Sequence, residues 1–270
     1  MYAKKSLGQH FLTSPKAAEA IAKAANLNPT DLVLEIGPGR GILTEQLVKY
    51  AGEVVAVEKD RELVKFLEER FAASIRGRKL KVIESDILTF DTSNLSGFKV
   101  VGNIPYNITG EIFRSFLESS HQPSSMTLMV QKEVGERIMA RDGKESILSI
   151  SVKAYGKPSI VRKVPAGSFN PKPKVDSVVI HIEGISKDFF SGKARSASGG
   201  KNLDEKQFFS LLKTGFAHKR KYLLSNLALK NSKFSLQVCF DSLALSGEIR
   251  AEALSLEDWE KLAHCLATSS

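Results

Sequence analysis

A chain of 270 residues, 42% hydrophobic and 26% charged, is long enough to bury one large core or two modest ones, and its composition excludes a disordered or fibrous protein. No run approaches the roughly 18 apolar residues of a membrane helix, and the N-terminal MYAKKSLGQHFL lacks the apolar core of a signal peptide, so no membrane partner is expected and the location reads as cytoplasmic. The 39 basic and 30 acidic residues leave a net charge of +9 and a pI near 9.4, which favours a polyanionic partner because Lys and Arg displace counterions from phosphates.

In chain order, Ser14 and Pro15 read as an N-cap and a first-turn proline, opening a helix over 15–25 with Ala18, Ile21, Ala22 and Ala25 on its apolar face. DLVLEIG (31–37) reads as a strand running straight into glycine, GILTEQLVKYA (41–51) as a helix, EVVAVE (53–58) as a strand and RELVKFLEERFA (61–72) as a helix. LKVIESD (80–86) and FKVVGN (98–103) are further strands, TGEIFRSFLESS (109–120) a helix and MTLMVQ (126–131) a strand. This alternation predicts an α/β fold with a parallel sheet covered on both faces. The apolar runs Val33-Leu34 and Val54–Val57 suit buried parallel strands.

After KEVGERIMA the pattern turns β-like at 146–156, 159–164 and 175–182, segments expected to complete the sheet with antiparallel strands. Residues 184–201 are rich in Gly and Ser and read as a mobile linker. Helical periodicity resumes at Asp204. The expected organisation is a sheet domain over 1–183, a linker over 184–203 and a small all-α domain over 204–270. Cys239 and Cys265 are far apart in sequence and read as reduced core residues, and the five histidines form no metal-binding pair, so no metal is expected.

LEIGPGRG (34–41) puts Gly37, Gly39 and Gly41 at a strand-to-helix turn, where glycine tolerates positive φ and lets backbone approach a ligand. Glu58 ends the second strand, the position that receives ribose hydroxyls in nucleotide-binding sheets. Asp86, at the tip of the third, is placed to accept a hydrogen bond from an adenine amino group. A dinucleotide site wants G-x-G-x-x-G, but here the spacing is Gly37-x-Gly39-x-Gly41 after Glu35. Glu35 disfavours a pyrophosphate and suits a ligand carrying an ammonium or sulfonium, and Glu35, Glu58 and Asp86 are expected to share one pocket. Glu-x-Gly-x-Gly-x-Gly resembles the first motif of S-adenosylmethionine-dependent methyltransferases.

Asn103-Ile104-Pro105-Tyr106 follows the fourth strand, at the carboxyl edge where open α/β sheets bind ligands. It resembles the Asn/Asp-Pro-Pro-Tyr/Phe motif of amino-group methyltransferases. An exocyclic amino group conjugated with a base is a poor nucleophile. Hydrogen bonds from it to the Asn103 side-chain oxygen and to the Ile104 or Pro105 carbonyl draw it out of conjugation and aim it. Pro105 keeps the turn rigid, and Tyr106 offers a stacking face worth about 1–3 kcal/mol per base. Phe169, ahead of Pro171-x-Pro173, is expected to close over the base's other face. HKRK (218–221) precedes a helix, and Lys219, Arg220 and Lys221, with Lys4, Lys5, Lys172 and Lys174, read as phosphate contacts that position RNA without reading its sequence.

KKSLGQHFL, LEIGPGRGILTEQL, AVEKD, SDIL, VGNIPYNI and GSFNPKPKVDSVV together, in order over residues 4 to about 182, resemble the ribosomal RNA adenine dimethyltransferase family, most closely its bacterial small-subunit members. The resemblance implies a Rossmann-like methyltransferase sheet with a C-terminal helical domain, S-adenosylmethionine as cofactor, and a monomer acting on small-subunit rRNA in the immature 30S particle. Two adjacent adenosines in a hairpin near the 3′ end would each become N6,N6-dimethyladenosine. It also implies that His10 and Leu12 line the cofactor pocket, Gly37 approaches the methionine part, Glu58 holds the ribose, Asp86 the adenine, and Asn103 sits beside the sulfonium. The large-subunit rRNA dimethyltransferases share every core motif and remain open as a reading. A non-catalytic RNA-binding assembly or transcription factor is disfavoured by the intact Asn103–Tyr106 segment. An NAD-dependent dehydrogenase is disfavoured by the glycine spacing.

Overall fold

The computed structural model describes residue 4, residues 8–192 and residues 202–268. Its backbone groups into two units, Met1–Gly135 with Lys157–Ile185, and Glu136–Gly156 with Ser186–Ser270.

The first unit opens with β1 (Phe11–Leu12), α1 (Pro15–Ala24), β2 (Leu32–Ile36), α2 (Ile42–Tyr50), β3 (Glu53–Glu58), α3 (Arg61–Arg70), α4 (Ala72–Arg76) and β4 (Leu80–Glu84). It continues with β5 (Lys99–Asn103), α5 (Thr109–Leu117) and β6 (Ser125–Gln131), from which α6 (Lys132–Met139) leads into the second unit. The chain returns for β7 (Lys157–Val164), β8 (Phe169–Asn170) and β9 (Ser177–Glu183). Seven strands form one sheet in the order β4-β3-β2-β5-β6-β9-β7. The pairs from β4 to β6 are parallel, and β9 and β7 are antiparallel, as expected for 159–164 and 175–182.

Local chemistry agrees with this order. The Ser14 hydroxyl accepts a hydrogen bond from the Ala17 N–H (3.3 Å) to cap α1, whose Ala18, Ile21 and Ala22 are buried with Val33, Leu47, Val54 and Val101 in the core. Val33, Val54 and Val101 come from central strands covered on both faces, hence their continuous apolar runs. β2 pairs Ile36 with Val57 of β3 and with Gly102 of β5. At Gly102 a Cβ would lie 2.9 Å from the Ile36 carbonyl oxygen, so the close approach of these strands requires glycine. Register therefore carries the ends of β2, β3, β4 and β5 to one edge of the sheet.

The second unit comprises α7 (Ile147–Tyr155), α8 (Asp188–Ser191), α9 (Glu205–Gly215), α10 (Leu223–Leu227), α11 (Lys233–Ser242) and α12 (Leu256–Thr268). Trp259, Leu212, Leu227 and Phe240 are buried in it. The expected strand at 146–156 is instead the helix α7. A capping box starts it, with Ser146 and Ser149 each accepting from the other's backbone N–H. Tyr155 at its end stacks on Phe209 (ring centroids 5.8 Å apart) and packs against Phe190 (5.4 Å). Packing of this apolar face outweighs the β preference of its Ile and Val residues. The unit boundary differs from the one expected at 183/184 for the same reason, since α7 groups with the helices. Part of the expected linker is also ordered, because Phe190 of α8 is buried against Phe208; residues 193–201 lie outside the described residues. Cys239 and Cys265 are not reduced but joined in a disulfide, because α11 and α12 pack together with their Cα atoms 5.7 Å apart.

Candidate active site

The turn after β2 is built from Gly37 (φ +62°), Gly39 (φ +57°) and Gly41 (φ +79°). At Gly41 a Cβ would lie 2.5 Å from the Phe71 ring. At Gly37 the nearest atom to a Cβ is the Asn103 carbonyl oxygen at 3.9 Å, so this backbone is open to approach. The Glu58 carboxylate ties the turn to the end of β3. Its Oε2 accepts from the Gly39 N–H (3.1 Å) and its Oε1 from the Asp60 N–H (3.0 Å). Burial raises the Glu58 pKa, and these two N–H groups work against that rise. Beyond β4, Asp86 accepts from the Leu88 N–H (3.0 Å) and from the Lys59 ammonium (2.7 Å). The Lys59 contact holds the Asp86 carboxyl below the usual carboxylate range.

At the end of β5 the Asn103 amide NH2 donates to the His10 carbonyl (3.0 Å). That bond orients the amide and leaves its Oδ1 without a partner among the described residues. Pro105 enters a 3₁₀ turn at Tyr106–Ile108. The Tyr106 hydroxyl hydrogen-bonds the buried Ser177 hydroxyl (2.7 Å), and its ring stacks on the His10 ring (centroids 5.7 Å apart, 22° between planes). Burial raises the Tyr106 pKa, opposed by Ser177. His10 Nδ1 donates to the Pro171 carbonyl (2.7 Å), since a carbonyl only accepts.

His10, Leu12, Gly37, Glu58, Asp86, Asn103, Pro105 and Tyr106 thus line one cavity of about 210 Å³, with Phe11, Ile36, Val57 and Ile87 supplying apolar wall. Phe169 does not join them. It pairs with Leu12 where β8 meets β1, is 4% exposed, and is packed in the core rather than along the cavity. The ring against Tyr106 is that of His10. Glu35 is also absent from the cavity wall and is completely buried. It sits inside β2, opposite Ala56 and Val101, two residues short of the strand ends where Glu58 and Asn103 emerge.

The sequence model of the ribosomal RNA adenine dimethylase family matches residues 1–268. The chain belongs to that family. Ribosomal RNA small subunit methyltransferase A of Dehalococcoides mccartyi is 41% identical over 266 residues, covering 96% of this chain and 87% of that protein. The proteins of the same name from Thermosynechococcus vestitus (40% identical; 98% of this chain, 97% of that protein) and Nostoc sp. (37%; 97% of each) match as completely. Among solved structures, a dimethyladenosine transferase from Plasmodium falciparum superposes with a TM-score of 0.82 at 26% identity, over 96% of this chain and 98% of that one. The 23S rRNA methyltransferase ErmE superposes with a TM-score of 0.75 at 27% identity, over 95% and 99%.

Two features of this dimethylase were not singled out in its sequence. The first is Asp60, whose carboxylate caps α3 at the Glu62 N–H (3.1 Å) and also anchors the N-terminal arm. It accepts from the Lys4 ammonium (2.8 Å) and the Gln9 amide (3.3 Å), while Gln9 accepts from the Lys4 N–H (2.8 Å). Burial opposes the charged form of Asp60, but Lys4 and Gln9 outweigh it and hold the pKa below the usual range. One residue thus fixes Glu58 through its N–H and, through its carboxylate, the arm that brings His10 and Leu12 to the cavity. The second is Ser177, the partner of Tyr106. An aspartate two residues after a strand tip signals only a helix cap, and nothing local pairs Ser177 with a residue 71 positions away.

Glu35 is expected to make the stability of the fold depend on pH. Burial, opposed by the neighbouring Thr44 and reinforced by the Glu58 charge, lifts its pKa to about 8, and neither carboxyl oxygen reaches hydrogen-bonding geometry. The folded chain keeps this proton, whereas the unfolded chain releases it near the ordinary value of 4.5. Stability is therefore retained below the unfolded value and falls as pH rises toward 8. Glu35→Gln is expected to remove most of that fall, on the order of a few kcal/mol, while the weaker contribution of Glu58 remains. Urea midpoints at acid and alkaline pH, read by circular dichroism, check this; parallel midpoints for both proteins would assign the pH dependence elsewhere.

Asp60→Asn separates the two duties of that side chain, because asparagine caps a helix as well as aspartate does but offers one acceptor oxygen fewer to the arm. The variant is expected to keep its melting temperature, to lose its N-terminal arm faster to protease, and to bind S-adenosylmethionine several-fold more weakly. Wild-type proteolysis and affinity would show that the arm is held by other contacts.

Proposed function

We propose that this dimethylase transfers methyl groups from S-adenosylmethionine to N6 of two adjacent adenosines in a hairpin near the 3′ end of small-subunit rRNA, giving N6,N6-dimethyladenosine, and that it works as a cytoplasmic monomer on the immature 30S subunit. The observation that carries the chemistry is Asn103, its amide held by the His10 carbonyl so that Oδ1 is left to accept. The choice of small-subunit rRNA is supported by the small-subunit methyltransferases at 37–41% identity, well above the 27% shared with ErmE.

The donor set fits the cofactor. Glu58 retains acceptor capacity for ribose hydroxyls, because a carboxylate has about four acceptor sites and the Gly39 and Asp60 N–H groups occupy one on each oxygen. Asp86 accepts from the adenine amino group, the open backbone at Gly37 receives the methionine portion, and His10 and Leu12 complete the wall. S-adenosylmethionine, when bound, supplies an electrophilic methyl group on a sulfonium. Asn103 Oδ1 accepts one N6 hydrogen of the target adenosine. The Ile104 carbonyl accepts the other, since the Pro105 carbonyl already serves the Ile108 N–H (3.3 Å) and the Thr109 hydroxyl (3.4 Å). These two bonds localise the N6 lone pair and direct it, so no base is needed before attack, and N6 sheds a proton afterwards. The residues contribute position and exclusion of water. Tyr106, locked by Ser177, carries the base.

Lys172 and Lys174 of the first unit and Lys219, Arg220 and Lys221 of the second are exposed and serve as phosphate contacts in this reading. Buried Asn226 holds the turn that displays the latter three, donating to the Gly215 (2.7 Å) and His218 (3.2 Å) carbonyls.

Asn103→Ala is expected to bind RNA nearly as well as the parent protein, because affinity comes from spread phosphate contacts, and to lose about 100-fold or more in single-turnover methyl transfer, because the missing bond acts as nitrogen leaves conjugation. Saturating cofactor and RNA isolate the chemical step. Parental turnover in this variant would make Asn103–Tyr106 a mere loop and sink the mechanism.

A further inference from the structure

The helical unit has an outer surface of unusual composition. Between Glu205 and Asp241 the chain contains no acidic residue and seven cations: Lys206, Lys213, Lys219, Arg220, Lys221, Lys230 and Lys233. The same stretch exposes large apolar side chains, Tyr222 at 43%, Leu229 at 63%, Phe234 at 80% and Val238 at 44%. Their exposure is not a shortage of core, since Leu223, Leu227, Leu236 and Phe240 from the same helices are fully buried. α11 therefore has two apolar faces. Leu236 and Phe240 form the inner one, and Phe234 and Val238, one turn apart, form the outer. Lys233 adjoins Phe234, and Lys230 sits in the turn just before α11.

A lone exposed leucine means little, but an aromatic ring left four-fifths in water beside exposed lysines signals a partner. That partner must tolerate an apolar ring and carry negative charge at short intervals. The same patch on a second copy of this chain fails the charge requirement, because it brings the same seven cations. RNA with an unpaired nucleotide meets both requirements, since its bases present π-faces and its phosphates flank them.

We propose that Phe234, with Lys230 and Lys233, is a docking point for an unpaired nucleotide of the substrate rRNA, the ring stacking on the base while the ammonium groups hold the adjoining phosphates. This rests on the rRNA methylation reading for the identity of the RNA, but uses no residue of the cavity and none of Lys219–Lys221.

The test uses the full chain with the photoreactive residue p-benzoylphenylalanine in place of Phe234, irradiated on small ribosomal subunits lacking dimethyladenosine. A crosslink to one region of small-subunit rRNA is expected. A crosslink to a ribosomal protein or to another copy of the chain would overturn the proposal, as would no crosslink. Methyl transfer by the parent protein is followed on the same subunits, so failure of the docking point is distinct from failure of the methylation reading. In parallel, Phe234→Ala should weaken RNA binding about tenfold without changing the salt dependence, and Phe234→Trp should restore it. Replacing Lys230 and Lys233 with glutamine should instead flatten the log–log salt slope by about two units. Unchanged affinity in Phe234→Ala would likewise overturn the proposal.

Discussion

The active site depends on the register of four parallel strands. Ile36 stands opposite both Val57 and Gly102, and Glu58 stands opposite Glu84, so Gly37, Glu58, Asp86 and Asn103 emerge along one edge. None of these residues is near another in sequence. A one-residue slip of β5 would turn Asn103 to the other face of the sheet, and Gly102 permits the close β2–β5 approach that holds this register. On the function proposed above, the sheet is part of the catalytic apparatus, because it sets the Glu58 carboxylate and the Asn103 amide along one edge.

Onto this edge the chain adds two pieces that the strands do not supply. The N-terminal arm is tied down at Asp60 and delivers His10 to Tyr106 and its carbonyl to Asn103. Pro171, just after β8, and Ser177, the first residue of β9, reach the same ring pair through a carbonyl and a hydroxyl. The Asn103–Tyr106 turn is thus braced from both sides by hydrogen bonds to residues distant in sequence. Such bracing suits catalysis by positioning, where little is gained from acid or base chemistry and much is lost from small displacements.

What was legible in the sequence follows from what is local. The alternation of strand and helix, the Ser14–Pro15 start of α1, the glycine turn and the Asn103–Tyr106 segment are written in contiguous residues, and they locate the cavity; His10 and Leu12 were placed in it only by the family resemblance. The misread features are set by partners elsewhere in the chain. α7 is rich in β-branched residues, and only the capping box and the aromatic cluster around Tyr155 make it a helix. Phe169 looks like a loop aromatic until β8 is seen to pair with β1. Glu35 belongs to the same acidic pattern as Glu58 and Asp86, yet it lies inside its strand rather than at the tip and is buried away from the cavity. The Cys239–Cys265 pairing needs the packing of α11 on α12, which no sequence spacing announces.

The central claim is that this edge holds an adenosine amino group of small-subunit rRNA for methylation. It is tested most directly by incubating the protein with isotopically labelled S-adenosylmethionine and small ribosomal subunits lacking dimethyladenosine, then mapping the label by mass spectrometry of nuclease fragments. The account predicts N6,N6-dimethyladenosine at two adjacent positions in one hairpin near the 3′ end. Label at a ring nitrogen, a ribose oxygen or a non-adenine base would contradict it, as would label found only when large subunits are supplied.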